Sequence, residues 1–221
     1  MRDFSGSHRW LSINTATLRA QWPLERIIGE CAARGIRAIS PWRDQVAALG
    51  LQRTAALLRD TGMALSGYCR GGMFTSPQAL SDNRRAVDEA KALNAPCLVL
   101  VVGGLHAGSK DLVAARSAVH DGVAATLDYA RSVGMPLAIE PLHPMVAADR
   151  SCINTLAQAL DLCDALDPAR SGALGVALDV YHVWWDPLLQ AQIERAGRER
   201  CSRFTSATGC WRRAICSTTA A

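Results

Sequence analysis

The sequence predicts an α/β fold, an incomplete TIM-type (β/α)8 barrel of about six of its eight strand–helix units, followed by an irregular C-terminal tail. Three observations predict it. An amphipathic helical stretch, a Gly or Asn that stops it and a short aliphatic or β-branched run recur along residues 1–199. The short runs are apolar almost without interruption, as in strands covered on both faces of a parallel sheet. Polar residues stand at the ends of several runs, where a barrel keeps its functional groups. Periodicity does not separate an open doubly wound sheet from a barrel, but Arg70, Glu140 and Asp179 at three different strand ends favour the barrel.

In order along the chain, Leu11-Ser12-Ile13-Asn14-Thr15 is the first predicted strand. Pro23 suits the first turn of a helix, with Leu24, Ile27, Ile28 and Cys31 at helical spacing. Gly35 can take the left-handed conformation that ends such a helix, and residues 36–40 form the next strand. A second copy runs through Leu51, Ala55, Leu58 and Gly62 into a strand over 63–69; a third runs through Val87, Ala90 and Asn94 into 97–102. The fourth has Leu112, Val119, Val123, Leu127 and Ala130 on one face, then Gly134 and Leu137-Ala138-Ile139. The fifth runs from Leu156 through Leu160 and Cys163 to Gly172 and a strand over 176–178.

Bulk properties exclude several classes. With 221 residues, 49% of them hydrophobic and 20% charged, the chain can bury a substantial core as one domain. No stretch approaches a membrane span, and residues 1–8 lack the apolar centre of a secretion signal, so a cytoplasmic location and no membrane partner are expected. The net charge is +4, yet all 20 acidic residues lie within 1–199 and are balanced there; the excess comes from Arg200, Arg203, Arg212 and Arg213. A neutral body argues against a nucleic-acid partner. Three of the eight cysteines, Cys201, Cys210 and Cys216, crowd the tail, and no pair has CxxC spacing, which leaves reduced, buried thiols as the expectation.

The chemistry-bearing segments are Ile139-Glu140-Pro141-Leu142-His143-Pro144 and Leu178-Asp179-Val180-Tyr181-His182-Val183-Trp184-Trp185-Asp186-Pro187. A carboxylate at the end of a core strand is disfavoured in its charged form unless a cation or hydrogen-bond donors compensate. A salt bridge from Glu140 to Arg70 is one reading and a metal ion the other; a second acid one strand later, with imidazoles nearby, favours metal. Both segments, together with Cys69-Arg70-Gly71-Gly72, resemble the xylose-isomerase-like TIM-barrel superfamily, the sugar phosphate isomerases and epimerases, over about residues 9–199. The resemblance implies that Glu140 and Asp179 bind a divalent ion (Mn, Mg, Co or Zn). It implies that His182 contacts substrate as a catalytic residue, and that Arg70 and His143 bind substrate.

The implied reaction is aldose–ketose isomerisation or epimerisation of a sugar or sugar phosphate through an enediolate, with Glu140 shuttling the proton. Trp185, with Trp184, is positioned to wall the sugar site or simply to pack. An oligomer is compatible with this reading. An endonuclease IV-like phosphodiesterase and a non-catalytic, small-ligand-binding remnant are the alternatives. Gly103-Gly104-Leu105-His106-Ala107-Gly108-Ser109-Lys110 fails as a P-loop because Asp111 stands where a Ser or Thr is needed.

From residue 200 the repeat stops. A disordered tail over residues 200–221 is one expectation, although its Cys and Trp content is unusual for such a segment. Reading each codon one base earlier allows the tail to encode a seventh strand with a His, so a one-base slip near codon 200 is another account of it. A six-unit chain would leave strands one and six as open edges. It would also lack the seventh-strand His and eighth-strand Glu that the resemblance implies, and so be impaired or inactive as an enzyme.

Overall fold

The computed structural model describes residues 8, 11–206 and 209–211. Its elements are β1 (Leu11–Asn14), α1 (Leu24–Ala33), β2 (Ala38–Ser40), α2 (Arg43–Leu49), α3 (Leu51–Asp60), β3 (Ala64–Leu65), β4 (Tyr68–Gly72), α4 (Ala79–Ala92), β5 (Leu98–Val101), α5 (Leu112–Val133), β6 (Leu137–Ile139), α6 (Leu156–Leu166), β7 (Leu174–Asp179), α7 (Val180–Val183), α8 (Leu189–Arg200), β8 (Cys201–Ser206) and β9 (Gly209–Trp211). Two 3-10 turns, Thr15–Thr17 and Pro144–Val146, lie between these elements. Leu24, Ile27, Ile28 and Cys31 are the buried face of α1, and Pro23 caps that helix rather than opening its first turn. Gly35 and Gly134 adopt the left-handed backbone, at φ +72° and +67°. At the start of α6 a capping box pairs Thr155 with Gln158, each side chain satisfying the other's backbone N–H.

The strands form one sheet in the order β3-β2-β1-β9-β8-β7-β6-β5-β4, parallel throughout except where β9 pairs antiparallel with β1 and β8. β3 and β4, at the two ends of this order, are halves of one predicted strand, separated only by Ser66 and Gly67. The Ser66 N–H donates to Ile39 O (2.9 Å) and the Cys69 N–H to Pro41 O (3.1 Å), so the chain stays beside β2 while β4 turns to pair with β5. The sheet thereby curls back upon itself.

Its two faces differ in chemistry. Leu98, Leu100, Leu137, Ile139, Leu174, Val176 and Leu178 point outward into the large core they share with the helices. The alternate residues Cys69, Cys97, Val99, Ala138 and Ala177 pack together on the inner face, with Trp42 against them. Ser12 and Ser66 share a hydrogen bond of 2.7 Å in the same interior, and the Ser40 hydroxyl lies 3.6 Å from Cys69 Sγ. These small side chains leave room at the mouth above them.

The expected open edges are corrected by the structure. β8 runs parallel beside β7, and β9 returns antiparallel to reach β1, so both edges are paired. Unpaired N–H and C=O groups along β1 and β7 would be costly, and any extended segment of sufficient reach can satisfy them, whatever its side-chain pattern. The predicted tail thus contains extended backbone; its residues 207–208 and 212–221, on which much of the frame-slip reading falls, lie outside the described residues.

Arg200 also departs from its assignment to the tail. Its side chain is 1% exposed and reaches Asp167 (2.8 Å), Leu174 O (2.9 Å) and Asp164 (3.1 Å), tying the end of α8 to α6 and β7. Burial pushes the Asp167 carboxyl up, but the Ser171 hydroxyl and the Arg200 and Arg131 guanidinium groups outweigh it and hold the group below its ordinary range. Asp164 is likewise held low, burial being overcome by Arg195 and Arg200. A carboxyl depressed in the folded state stabilises above its unfolded pKa and ceases to do so as pH falls through the folded value. Acid unfolding is therefore expected to steepen below about pH 4, and Asp167→Asn to flatten that limb in a pH series of urea denaturations.

Candidate functional site

The site grows from the carboxyl ends of the parallel strands. β6 and β7 pair with Ile139 opposite Val176, and the Glu140 N–H continues the ladder to Leu100 O at 3.0 Å. Glu140 therefore shares the pleat of Ala138, and Asp179 that of Ala177, both inner-face residues. The pleat turns the two carboxylates inward from neighbouring strands. Asp179 stands two residues nearer the mouth, which places the two Cα atoms roughly 8 Å apart by ordinary strand geometry. Asp179 also caps α7, its Oδ1 accepting the Tyr181 N–H at 2.9 Å.

Beside them lie the two predicted histidines. His182 Nδ1 accepts the His143 backbone N–H at 3.2 Å, which leaves the imidazole proton on Nε2. Burial, reinforced by His143 and Arg150, pulls the His182 pKa down to about 4, so the ring is neutral near pH 7. His143 Nδ1 accepts the Met145 N–H, and its ring meets that of Trp185 edge-on at 5.9 Å. Trp185 is pinned by its Nε1–H to His182 O at 2.9 Å, whereas Trp184 is 68% exposed.

Arg70 comes from β4, where the pairing with β5 shifts register between Cys69 and Gly71; a bulge of this kind re-aims a side chain. Its guanidinium lies 5.8 Å from the Trp42 ring centre and lines a cleft of about 360 Å³ with Arg19, Trp42, Asp44, Gly71 and Gly72. Burial lowers the Arg70 pKa, as does Arg150; Glu140 acts in the opposite direction. Glu140 and Arg70 thus sense each other across the mouth.

Trp42, Asn14 and Arg150 are mouth residues that sequence reasoning missed. Trp42 donates through Nε1 to Asn14 Oδ1 at 2.8 Å and carries Arg19 on its ring at 4.8 Å. Asn14 ends β1 and Trp42 lies two residues beyond β2. The strand-end rule that found Glu140 and Asp179, applied to every strand, finds them too. Arg150 carries no such signal, since it sits in the loop before α6 and is brought back by pairing with the end of β5. His8, His106 and His120 are engaged locally with Arg34 O, Thr75 O and Asp121, away from this cluster.

Two inward carboxylates suit a hard divalent cation that keeps several waters, since such ions are held by one or two carboxylates. Among the described residues no group of three His, Cys, Asp or Glu side chains gathers as a metal site. The three protein ligands of a catalytic zinc centre are therefore not assembled from them. Among these residues, too, no helix is long and apolar enough to cross a membrane.

Residues 28–205 match the family described as xylose isomerase-like TIM barrel. The crystal structure of protein SMc04130 from Sinorhizobium meliloti 1021 superposes with a TM-score of 0.84 at 54% identity, over 89% of this chain and 72% of that one. The IolI protein with a bound zinc atom superposes at 0.73 with 15% identity, over 89% and 72%. D-psicose 3-epimerase with D-tagatose from Clostridium cellulolyticum H10 does so at 0.72 with 15% identity, over 89% and 72%. No curated protein matches the sequence. The chain belongs to the xylose isomerase-like TIM-barrel family.

Proposed function

We propose that the chain is the scaffold of a divalent-metal-dependent sugar isomerase or epimerase, with Glu140 and Asp179 as protein ligands of the ion. The observation that carries this reading is the pair of carboxylates turned inward from neighbouring strand ends, beside a neutral histidine and a cleft lined by Arg70. The zinc bound by IolI and the tagatose bound by D-psicose 3-epimerase support it through the shared fold. The bound ion would polarise the substrate carbonyl and the adjacent hydroxyl, lowering the cost of removing the proton on carbon.

The protein groups do the rest. His182, neutral and protonated on Nε2, donates to a substrate oxygen and disperses charge as the enediolate forms. Glu140 takes the proton from one carbon and returns it to the other carbon or to the opposite face. The edge-on pair of His143 and Trp185 walls the sugar on the β6–β7 side. Activity of this chain is expected to be weak, because the seventh-strand His and eighth-strand Glu that the family resemblance implies as further ligands are not among the described residues.

The test is thermal unfolding with and without Mn²⁺, with bound metal counted by mass spectrometry. Saturating metal at about 100 times its Kd adds about 2.7 kcal/mol, a rise in Tm of roughly 5–10 °C for a domain of this size. Asp179→Asn should remove the rise. Exchange of ketose C–H protons with D2O, followed by NMR, reads the chemistry. An unshifted Tm together with no exchange would sink the reading.

A further inference from the structure

The exposed large apolar side chains are not spread evenly over the molecule. Among the described residues they are Leu80, Val113, Met145, Tyr181, Trp184 and Leu188, each at least half exposed. Leu80 and Val113 lie in the first turns of α4 and α5, Met145 in the turn after β6, and the other three between β7 and the body of α8. All six therefore stand at the carboxyl ends of the strands, the end that carries the mouth. Four of them lie together. The His143 N–H donates to His182 Nδ1 and the His143 ring meets Trp185 at 5.9 Å, which brings the turn after β6 against α7. Met145 is two residues from His143, the Tyr181 ring lies edge-on to His182 at 5.1 Å, and Trp184 and Leu188 flank Trp185 along the chain.

Keeping this patch in water is costly. Four such side chains present roughly 500 Å² of apolar surface, near the upper end of what a monomer exposes in one place. One sugar that also contacts Glu140 and Asp179 has too little surface to cover it. With its polar border, such a patch approaches the about 800 Å² per partner of a stable dimer. Its composition is that of an interface centre, where Trp, Tyr and Met are enriched and Lys and Glu depleted; residues 143–150 and 180–188 contain neither Lys nor Glu. The turn that carries Met145 leads into Asp149 and Arg150, both exposed and 3.9 Å apart. Across a two-fold axis such a pair is self-complementary, because each charge can meet its opposite on the other copy. An anionic lipid surface would call for a cluster of basic residues around the patch, and these two segments supply only Arg150.

We propose that this rim is the face through which two copies of the chain associate about a two-fold axis, with Met145, Tyr181, Trp184 and Leu188 of each copy at its centre. The contact abuts the site, because the turn and helix that carry the patch also hold His143, His182 and Trp185. Each copy then shields the β6–β7 side of the other's mouth from water. The inference concerns association alone and does not rest on the isomerase reading.

Sedimentation velocity of the full chain across a concentration series tests it. A reversible dimer is expected, of micromolar affinity or tighter, as interfaces of this size give. The double change Met145→Asp with Leu188→Asp should weaken it at least about 100-fold, since it would bury unpaired carboxylates. Trp184→Ser should weaken it roughly 10-fold or more by removing a central aromatic anchor. Leu80→Asp, at the same end of the barrel but three strands from β7, should leave it unchanged. All these positions are exposed, so melts at a concentration where every form is monomeric should coincide. A wild-type chain that stays monomeric, a dimer that survives both patch variants, or one that Leu80→Asp also dissociates would overturn the proposal. Pelleting of a monomer with anionic lipid vesicles would overturn it in favour of a membrane surface.

Discussion

Replacing Arg200 with methionine is expected to destabilise the chain by about 3–5 kcal/mol, because removing one partner strands the other charge in the interior. Asp167 is 1% exposed, as is Arg200, and would keep Arg131 (2.9 Å) and Ser171 (hydroxyl at 2.7 Å) but lose its fully buried charge partner. Leu174 O would lose its side-chain donor as well. Urea denaturation reads the effect as a fall in midpoint with an unchanged slope. The double change Arg200→Met with Asp167→Leu should recover part of the loss, since an apolar pair needs no charge compensation. A single Arg200→Met that costs under about 1 kcal/mol would mean that the pair contributes little.

The second large effect is expected at Gly72. Its φ is +111°, and an added Cβ would lie 1.9 Å from Val101 O, the acceptor of the Met73 N–H. Neither side can yield: β5 is buried, and Asn83 clamps Gly72, accepting its N–H at 2.6 Å and donating to its O at 2.7 Å. Gly72→Ala should cost more than about 3 kcal/mol, strain and lost pairing acting together, and should displace Arg70 two residues away. Gly29→Ala in α1, where nothing lies within 4 Å of the new methyl, is the matched control and should be neutral or gain up to about 1 kcal/mol. Thermal melts of both variants settle the comparison, and an unperturbed Gly72→Ala would contradict the tight approach of β4 to β5.

Much of the fold was legible because burial patterns are local. The face of α1 and the runs of β5 and β6 follow from side-chain spacing alone, as does the boundary at Gly134. The split of the third strand into β3 and β4 was not read from the sequence: Ser66 and Gly67 interrupt the apolar run 63–69, but one Ser-Gly step does not by itself end a strand, and the need to pair with β2 on one side and β5 on the other is what bends it there. Helix α2 was missed for a related reason: it is short, with Val46 as its only buried residue, and its period is too brief to stand out.

At the site, the sequence by itself determined that acids end two neighbouring core strands, because strand-end position is a matter of order along the chain. Tertiary structure decided what surrounds them. The loop carrying Arg150 is brought beside the end of β5 by its backbone hydrogen bonds to Gly103, and Trp42 links β1 to β2 through Asn14. Arg200, read as part of a foreign tail, is instead held in the core by two acids on α6 and beside it. The cause is the same in each case: hydrogen bonding and charge compensation act between residues far apart in sequence, where spacing along the chain carries no trace of them.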